Sequence, residues 1–542
     1  MSKKTSKTEP SIKPSGKSKT VILACAVFLT AFLIYAKTIN YRLTDLDDNN
    51  FIHNCAVNYH PADSFINAFK TNCLFGGMTP YYRPVLSLSF VISDKIAGES
   101  ESFAHFVNVL LHAVSALLVF IFLRRYLFDE KISFLAAALF AVHPLTVYTA
   151  VWIPGRNDSL FFINFILAFT FFIEYLDKKK LRFIFLNVLF TLVCFFTKEA
   201  AVSVPLIFVF YYATHMKKYG KPELKKSLLC TGLWVISIVL FLFMRKVALS
   251  GAPMPRLNLR NDNIRMFFDY YTSAFFLTTP FRALYGTIET YFYPLGIFAA
   301  VLTAFFAFFK KNRRQRTENF FWFALPLIML APNIVAERLW FQGNRMYVPL
   351  FALIVLLFSF LEPYFKTKKN TVKSIVAVVL LICVVTTLKG SEDFKGNLSF
   401  WNKIIEESAY ENITAKKFLS IVYIKNDRTQ DAVNEALYIA KETNFSDPEI
   451  LFCLGNAFLQ NENYKESAYT FERLISTGQM LIPQVYASLV LAYYNMNDKQ
   501  KTDYYLTELL KLLNVSPDET VKYVQNYNAY LHSEKGKSLR NN

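Results

Sequence analysis

The sequence predicts an all-α protein, a polytopic bundle of membrane-spanning helices followed by a short domain of helical repeats. Of the 542 residues, 54% are hydrophobic and 17% are aromatic, which is too apolar for one water-soluble domain. The apolar residues fall in runs about as long as a bilayer is thick. After Gly390 the chain becomes polar, and helical patterns recur there about every 35 residues, as in helical repeat proteins.

The chain begins with a segment rich in Lys, Ser and Pro, residues 1–19, which we expect to be disordered. An apolar run at 20–38 follows. It is too long for a signal peptide, it lacks a clear cleavage site, and many apolar runs come after it. We therefore expect it to remain in the protein as the first membrane span.

Clusters of Lys and Arg orient the apolar runs, because loops rich in these residues stay in the cytoplasm. Two consecutive cytoplasmic clusters must be separated by an even number of membrane crossings, and a set of about eleven spans meets this condition. The predicted spans are 20–38, 101–123, 132–150, 159–176, 181–197, 200–214, 227–249, 288–309, 319–337, 346–363 and 372–389. A span at 264–285 would break this pattern, so that segment is predicted to be a re-entrant or interfacial helix on the external side.

The net charge of +18 does not indicate a nucleic-acid-binding protein, since the cations form short clusters between apolar runs, as topology requires. The seven cysteines show no spacing suited to zinc, and no metal or other cofactor is predicted. Cys55 and Cys73 share one polar loop. They could form a disulfide if that loop faces an oxidising compartment, or remain two unpaired thiols.

The same orientation rule places the polar motifs on one side of the membrane, the external side. The external segments are 39–100, 153–158, 250–287, 338–345 and the chain after Leu388. The motifs that they carry, or that lie beside them, are Asp47-Asp48, Tyr82-Arg83-Pro84, His143-Pro144, Gly155-Arg156-Asn157-Asp158 and Lys198-Glu199. Convergence on one face is typical of a functional site.

Asp47 and Asp48 directly follow the first span and are the most informative residues of the chain. Carboxylates at a membrane face are costly and are usually functional. Two adjacent carboxylates repel each other, and burial raises the pKa of at least one of them. A carboxylate whose pKa lies closer to neutral pH is a more effective general base. The alternatives are a solvated acidic loop or an N-cap for a helix that begins at Phe51.

Several cations near this face are candidates for binding an anionic group. Arg83 could bind a lipid phosphate through its fork of donors, or reach lipid headgroups without a function. Arg156 and Asp158 could form a structural ion pair, or contact a phosphate with Asp158 as the orienting partner.

A second charged motif interrupts two short predicted spans. Lys198 and Glu199 could form a tight external turn or the wall of a polar pocket, and ionisable residues at membrane depth favour function. Arg338, which follows Glu337, and Arg345 are the last cations on the external face.

In their order along the chain these residues resemble the TMTC family, the transmembrane and tetratricopeptide-repeat O-mannosyltransferases of the GT-C glycosyltransferase class. The pattern includes His105, Asn108 and His112 in the second span. The resemblance is good from residue 40 to about residue 205, weaker at 320–350 and only architectural in the repeats. Tyr148 departs from the family, which commonly has Glu there, and the family's Glu-Arg-aromatic-Pro pattern is split between 337–338 and 345–349.

The resemblance implies an inverting glycosyltransferase whose donor is a polyprenyl-phosphate sugar, such as mannose. Asp47 would take the proton of an acceptor hydroxyl, and Asp48 would orient the acceptor. The cations that would stabilise the leaving lipid phosphate are Arg83, Arg156, Lys198, Arg338 and Arg345. The supporting residues would be Tyr82, His143, Asp158 and Glu199.

The polar C-terminal part is predicted to bind the acceptor, for which a protein Ser or Thr is implied. In residues 448–475 the core positions of a tetratricopeptide repeat are filled by Leu451, Leu454, Gly455, Phe458, Tyr464 and Phe471. Residues 483–511 form a second copy, and a weaker copy precedes both. The predicted domains are therefore 1–19, 20–390 and 391–542.

Two other functions fit a polytopic protein with repeats. A transporter or flippase would need paired half-spans related by inverted symmetry. The short segments at 181–214 are compatible with half-spans, but the sequence shows no inverted internal symmetry. A membrane scaffold whose repeats recruit a partner would need far fewer spans than are predicted. The compact loops and short repeat array favour a bacterial inner membrane with a periplasmic site, and the endoplasmic reticulum is the alternative.

Overall fold

The computed structural model describes residues 17–44, 47–52, 64–73, 81–220, 223–249, 261–276, 293–308, 313–334, 343–407 and 413–539. These residues form helices and connecting loops and contain no β-strand, which confirms the all-α prediction. The chain divides into two compact units between Gly396 and Asn397, six residues beyond the predicted boundary after residue 390. The predicted N-terminal tail lies outside the described residues except for its last three, which begin the first helix.

The first unit is a bundle of α-helices separated by short loops. Its helices are α1 (Lys17–Tyr35), α2 (Ser64–Lys70), α3 (Pro84–Ala97), α4 (Glu101–Tyr126), α5 (Glu130–Val142), α6 (Val147–Ala150), α7 (Arg156–Lys178), α8 (Leu181–Thr197), α9 (Val204–Tyr219), α10 (Leu224–Ala248), α11 (Asn261–Phe276), α12 (Tyr293–Phe308), α13 (Arg313–Ile334), α14 (Tyr347–Thr367) and α15 (Lys369–Glu392). Turns of 3-10 helix occur at Ala36–Asn40, Pro144–Thr146, Ile153–Gly155, Glu199–Ser203 and Gly343–Met346.

Six described helices are long and apolar enough to cross a membrane, which agrees with a polytopic membrane bundle. They contain α1, α4, α7, α10, α14 and α15. A seventh span results if α5 and its continuation Pro144–Ala150 are counted together across a bend of 53°. Because α8 and α12 are apolar but shorter, the count of about eleven spans stays a prediction.

Local sequence explains where the helices of the motif region begin and end. The Ser100 side chain caps α4 by accepting from the N–H of Phe103 at 3.2 Å. The helix α5 ends at Val142, and His143 is extended because the following Pro144 disfavours helical backbone there. Gly155 directly precedes α7, and a Cβ at this position would come within 2.3 Å of the Tyr148 carbonyl oxygen.

Aromatic side chains fill the core of the bundle between α4, α7, α13 and α14. The ring of Phe122 lies 5.4 Å from Phe169, 5.7 Å from Phe351 and 6.4 Å from Trp322, measured between ring centroids. Such pairs contribute about 0.5–1.5 kcal/mol each beyond the area they bury. Inside a bilayer this close packing replaces the hydrophobic effect as the force that joins helices.

The helix α11 begins three residues before the segment predicted to be re-entrant or interfacial, 264–285, and covers its first part. It is 16 residues long, and the remainder of the predicted segment, 277–285, is outside the described residues. Whether α11 enters the membrane therefore stays a prediction.

The second unit consists of short helices joined into hairpins. They are α16 (Asn397–Glu407), α17 (Ile413–Lys425), α18 (Thr429–Glu442), α19 (Pro448–Gln460), α20 (Tyr464–Ser476), α21 (Pro483–Asn495), α22 (Lys499–Leu513) and α23 (Pro517–Leu539). Gly455 of α19 lies against the ring of Phe471 of α20, where a Cβ would come within 2.7 Å of the ring. This close packing agrees with the predicted core positions, and the identification as tetratricopeptide repeats stays a prediction.

The turns inside the hairpins repeat every 35 residues. Asp427, Glu462 and Asn497 each have a positive φ, between 57° and 63°. In each turn the next N–H donates to the carbonyl five residues earlier, over 2.9 Å, 2.8 Å and 3.0 Å. These bonds satisfy carbonyl groups at the end of the first helix of each hairpin.

Candidate functional site

The two adjacent carboxylates occupy different environments. Asp48 is 1% exposed, and its Oδ2 accepts hydrogen bonds from the backbone N–H and the hydroxyl of Thr44, at 2.7 Å and 2.8 Å. Asp47 is exposed and has a φ of +65°. Its backbone carbonyl accepts from the N–H of Phe51 at 3.3 Å, at the start of a helical turn over 48–52. Asp48 is thus fixed, whereas the Asp47 carboxylate is accessible.

The protein around Asp47 also alters its acidity. Although the residue is exposed at the surface, neighbouring protein atoms reduce its hydration, which raises the pKa of the carboxyl above its ordinary value. The positive charge of Arg83 lies close enough to lower that pKa in part. The carboxylate therefore has the raised pKa that a general base requires, although the sequence did not show which of the pair would have it.

Arg83 forms a two-pronged ion pair with Glu199. Its Nε and Nη2 atoms donate to the Glu199 Oε2 at 2.9 Å and 2.8 Å, and the guanidinium lies 4.4 Å from the ring centre of Tyr81. The hydroxyl of Tyr82 donates to the Phe69 carbonyl at 2.8 Å and so ties the start of α3 to α2. This arrangement fixes the direction of the guanidinium.

A second ion pair joins three separate elements. Lys198, at the end of α8, pairs with Oδ1 of Asp158 in the first turn of α7. The side-chain amide of Asn344, in the turn before α14, donates to Oδ2 of Asp158 at 2.7 Å. The side chains of Lys198 and Asp158 are only 12% and 5% exposed, so the pair is largely shielded from water.

The charges around Lys198 show that three of the predicted phosphate ligands lie together. Burial lowers the pKa of its ammonium, Asp158 opposes this, and the positive charges of Arg83 and Arg345 lower it further. Arg345 also approaches the hydroxyl of Tyr270, with its Nη1 at 3.4 Å. Arg338 lies outside the described residues, and its role stays a prediction.

Arg156 does not join this group. Its side chain is completely buried, and its Nε donates to Oδ1 of Asn108 at 3.0 Å. Its Nη1 and Nη2 donate to the Ser93 hydroxyl and the Ala104 carbonyl, each at 3.0 Å. The suggested ion pair between Arg156 and Asp158 is therefore wrong, and donors that are occupied inside the protein do not support the role of phosphate ligand.

His143 connects α5 with α11 and does not contact the ion pairs. Its Nε2 donates to the Ala274 carbonyl at 3.1 Å, and its Nδ1 accepts from the N–H of Leu145 at 3.3 Å. Cys73 is buried, and burial raises the pKa of its thiol to about 12. Cys55 lies outside the described residues, so a disulfide between the two cysteines stays a prediction.

Sequence reasoning missed Asn344 and Tyr270. A single Asn in a loop carries no pattern, and the adjacent Arg345 was the only signal. Tyr270 belongs to a segment that was interpreted only by its apolar character. Among the residues that the structure describes, no group of three or more His, Cys, Asp and Glu side chains is placed to hold a metal ion.

Comparison with known proteins supports the resemblance read from the motifs. Residues 80–244 match the family model described as dolichyl-phosphate-mannose-protein mannosyltransferase. The protein O-mannosyl-transferase Tmtc1 of Drosophila melanogaster is 28% identical over 181 residues, which are 33% of this chain and 21% of that protein. The human protein O-mannosyl-transferase TMTC2 is 38% identical over 109 residues, 19% of this chain and 13% of that protein.

The mouse protein O-mannosyl-transferase TMTC1 is 35% identical over 98 residues, 18% of this chain and 10% of that protein. The predicted resemblance to TMTC-like O-mannosyltransferases is confirmed. The aligned part spans only about a tenth to a fifth of the length of these relatives. The family match includes Arg83, Asp158, Lys198 and Glu199 and begins after the Asp47-Asp48 pair.

Proposed function

We propose that this protein is a membrane glycosyltransferase that transfers a sugar, mannose in the first instance, from a polyprenyl-phosphate donor to a Ser or Thr hydroxyl of a protein. One observation carries the proposal: the accessible carboxylate of Asp47, whose pKa is raised, lies close to Arg83, and the charges of Arg83 and Arg345 both act on the enclosed ammonium of Lys198. A leaving phosphate needs positive charge, and an attacking hydroxyl needs a base. The names of the similar proteins supply the sugar and the acceptor class.

The reaction is a single displacement at the anomeric carbon. Asp47 accepts the proton of the acceptor hydroxyl as its oxygen bonds to the anomeric carbon. The bond from that carbon to the phosphate oxygen breaks, the lipid phosphate leaves with the electron pair, and the configuration inverts. Asp48, held by Thr44, fixes the chain at this point and orients the acceptor.

The ion pairs keep the phosphate ligands in place before the donor binds. Glu199 holds the Arg83 guanidinium, and Asp158 holds the Lys198 ammonium, so neither cation must be reorganised when negative charge develops on the phosphate. Since these cations supply the positive charge, we propose that no divalent metal is required.

Transfer of labelled sugar from polyprenyl-phosphate mannose, in membranes that contain the protein, tests the proposal. Asp47→Asn should reduce transfer by about 10²- to 10⁴-fold, the usual contribution of a general base. Asp177→Asn is the matched control, because Asp177 is exposed at the opposite end of α7. A chelator should leave the transfer intact.

The product of this assay separates the alternatives. Label on protein in the wild type alone supports protein O-glycosylation, whereas label on lipid or glycan keeps the reaction and changes the acceptor. If Asp47→Asn transfers as well as the wild type, the proposed base is wrong. Substrate flux without consumption of any lipid-linked sugar would indicate a transporter instead.

We further propose that the repeat unit binds the acceptor polypeptide. It exposes large aromatic side chains, with Tyr469, Tyr494 and Tyr504 at 64%, 69% and 58% exposure. Such rings bind peptides well because they combine apolar area with a hydroxyl. Deleting residues 400–542 should spare donor hydrolysis and reduce transfer to protein, and Tyr494→Ala should do so more mildly. Unchanged transfer after the deletion would contradict this role.

For the cellular location we propose the bacterial inner membrane, with the site in the periplasm. Lys499→Cys, at the exposed start of α22 in the repeat unit, should then react with a membrane-impermeant thiol reagent in spheroplasts. Reaction only after lysis would place the unit in the cytoplasm. Activity confined to endoplasmic reticulum membranes would favour the alternative compartment.

A further inference from the structure

One face of α4 carries polar side chains that the proposed chemistry does not use. His105, Asn108, His112 and Ser115 follow one another at intervals of three and four residues, which places them on one side of the helix. All four are buried, with exposures of 2%, 0%, 0% and 0%. Polar groups inside a membrane bundle are costly unless they are hydrogen-bonded, so the partners of this face indicate its purpose.

Asn108 binds the segment that leads into α7. Its side-chain N–H groups donate to the carbonyl oxygens of Trp152 and Ile153, at 2.9 Å and 3.1 Å. Its Oδ1 accepts from Nε of Arg156 at 3.0 Å. The first turn of α7, which carries Asp158, is therefore held to α4 by three hydrogen bonds.

Arg156 extends this connection to α3. Its Nη1 donates to the Ser89 carbonyl at 3.2 Å and to the Ser93 hydroxyl at 3.0 Å, and its guanidinium lies 4.0 Å from the centre of the Phe90 ring. The helix α3 begins directly after Arg83. Two of the site cations, Arg83 and the Lys198 that pairs with Asp158, are thus tied to the Asn108 end of this face.

His112 binds the segment that leads into α14. Its Nε2 donates to the Ala141 carbonyl at 3.0 Å, which leaves Nδ1 to accept from the hydroxyl of Tyr347 at 2.7 Å. Tyr347 directly follows the Gly343–Met346 turn, which carries Asn344 and Arg345. The third site cation and the amide that holds Asp158 are therefore tied to the His112 end.

We propose that Asn108 and His112 are positioning residues, which hold the segment that carries Asp158, the partner of Lys198, and the segment that carries Arg345 in register for the lipid phosphate. This inference rests on the proposed function. Neither residue contacts the reacting groups; each acts through the segment that it binds. Because a displacement of about 1 Å can cost about a hundredfold in rate, loss of either set of bonds should weaken use of the donor.

Two substitutions of His112 separate its two hydrogen bonds. In His112→Asn the amide oxygen stands near the position of Nδ1 and still accepts from Tyr347, whereas in His112→Gln the amide nitrogen stands near Nε2 and still donates to Ala141. We expect His112→Gln and Tyr347→Phe each to raise the KM for polyprenyl-phosphate mannose by about tenfold or more, with the acceptor KM unchanged. His112→Asn should stay within about threefold of the wild type.

The double variant should confirm that one bond is responsible. His112→Gln with Tyr347→Phe should be no worse than either change alone, since both remove the same interaction. A purely structural role predicts less folded protein with an unchanged donor KM in what remains. That result, or additive effects on KM, would overturn the proposal.

Hydrogen exchange of the full-length protein in nanodiscs gives a readout that needs no turnover. His112→Gln should speed exchange in residues 343–349 and leave residues 152–159 unchanged, and Asn108→Leu should do the reverse. If Asn108→Leu does not accumulate, Asn108→Asp serves, because it keeps the acceptor for Arg156 and loses both donors to the carbonyl oxygens. Equal loosening of both segments, or of neither, would overturn the proposal. An absence of turnover in the wild type would instead contradict the proposed function.

Discussion

The helix α7 carries a buried carboxylate near each end, and the two ends differ in their partners. Asp158, in the first turn, pairs with Lys198, whose side chain is 12% exposed. Glu174, near the last turn, pairs with Arg125 and Lys178, whose side chains are 51% and 46% exposed. One end therefore encloses both partners of its ion pair, whereas the other encloses only the carboxylate.

This difference separates a preorganised site from a structural anchor. Exposed cations are solvated and mobile, and their ion pairs contribute little to stability. Enclosed cations keep a fixed direction and interact strongly with any charge that develops nearby. The Glu174 end adjoins the basic cluster 178–180, which topology alone explains. The Asp158 end requires another explanation, and the proposed binding of a leaving phosphate supplies one.

The largest expected contrast is between arginines at the two ends. Arg83→Lys loses the two-pronged geometry toward a carboxylate or phosphate, and we expect sugar transfer to fall by about 10²- to 10³-fold. Arg125→Lys at the other end should change transfer by less than about twofold, because the Arg125 side chain is exposed to solvent. Transfer from labelled polyprenyl-phosphate mannose measures both. Equal losses of sugar transfer in the two variants would show that the two ends of α7 do not differ in function.

Stability should show a smaller contrast. Asp158→Asn leaves the ammonium of Lys198 buried without its counter-charge, which should lower the free energy of unfolding by about 3–5 kcal/mol. Glu174→Gln should cost about 1 kcal/mol or less, since the partner cations can reach water. Denaturant unfolding in detergent measures both changes. Adding Lys198→Met to Asp158→Asn should restore stability without restoring transfer, and failure to restore it would mean that the buried charge is not the cause.

The smallest expected effect concerns pH. A general base must be ionised, so transfer should fall as the pH drops through the raised pKa of Asp47, above the ordinary aspartate range. Because the charge of Arg83 lowers that pKa, Arg83→Gln should move the acid limb of the remaining activity to higher pH. If the acid limb of the pH dependence does not move in Arg83→Gln, a group other than Asp47 controls it.

The same raised pKa has a consequence for stability. Since the folded state holds the Asp47 proton more tightly than the unfolded chain does, this group favours folding at low pH, and its contribution is lost as the pH rises through the folded pKa. Asp47→Asn should therefore raise the melting temperature slightly at neutral pH, although it reduces transfer by about 10²- to 10⁴-fold. A lower melting temperature would contradict the raised pKa.

Composition and the spacing of apolar runs were sufficient to predict the fold class, because a bilayer determines the length and polarity of the helices that cross it. Charges that interrupt apolar runs identified Arg83, Lys198 and Glu199, because such residues are costly unless they have a purpose. The pairing of these charges was not predictable. Asn344 and Asp158 are 186 residues apart, and only the folded chain brings them together.

Arg156 shows the limit of motif reasoning. The sequence Gly155-Arg156 at the start of a helix does not show whether the guanidinium faces a substrate or is enclosed by the protein. In the structure, carbonyl, amide and hydroxyl groups enclose it. The distinction depends on groups contributed by α3 and α4. His112 was noted only as part of the family pattern, and its hydrogen bond to Tyr347, 235 residues away, was not predictable.

The identical turns of the repeat unit bear on how such chains can change in length. Because Asp427, Glu462 and Asn497 adopt the same backbone conformation at a spacing of 35 residues, the turn inside each hairpin matches the turn inside the next one. A duplication or loss of 35 residues would therefore join compatible ends and preserve the stacking between neighbours. Gene segments of that size can lengthen or shorten the array, and with it the surface that we propose binds the acceptor, without changing the sequence of the membrane bundle.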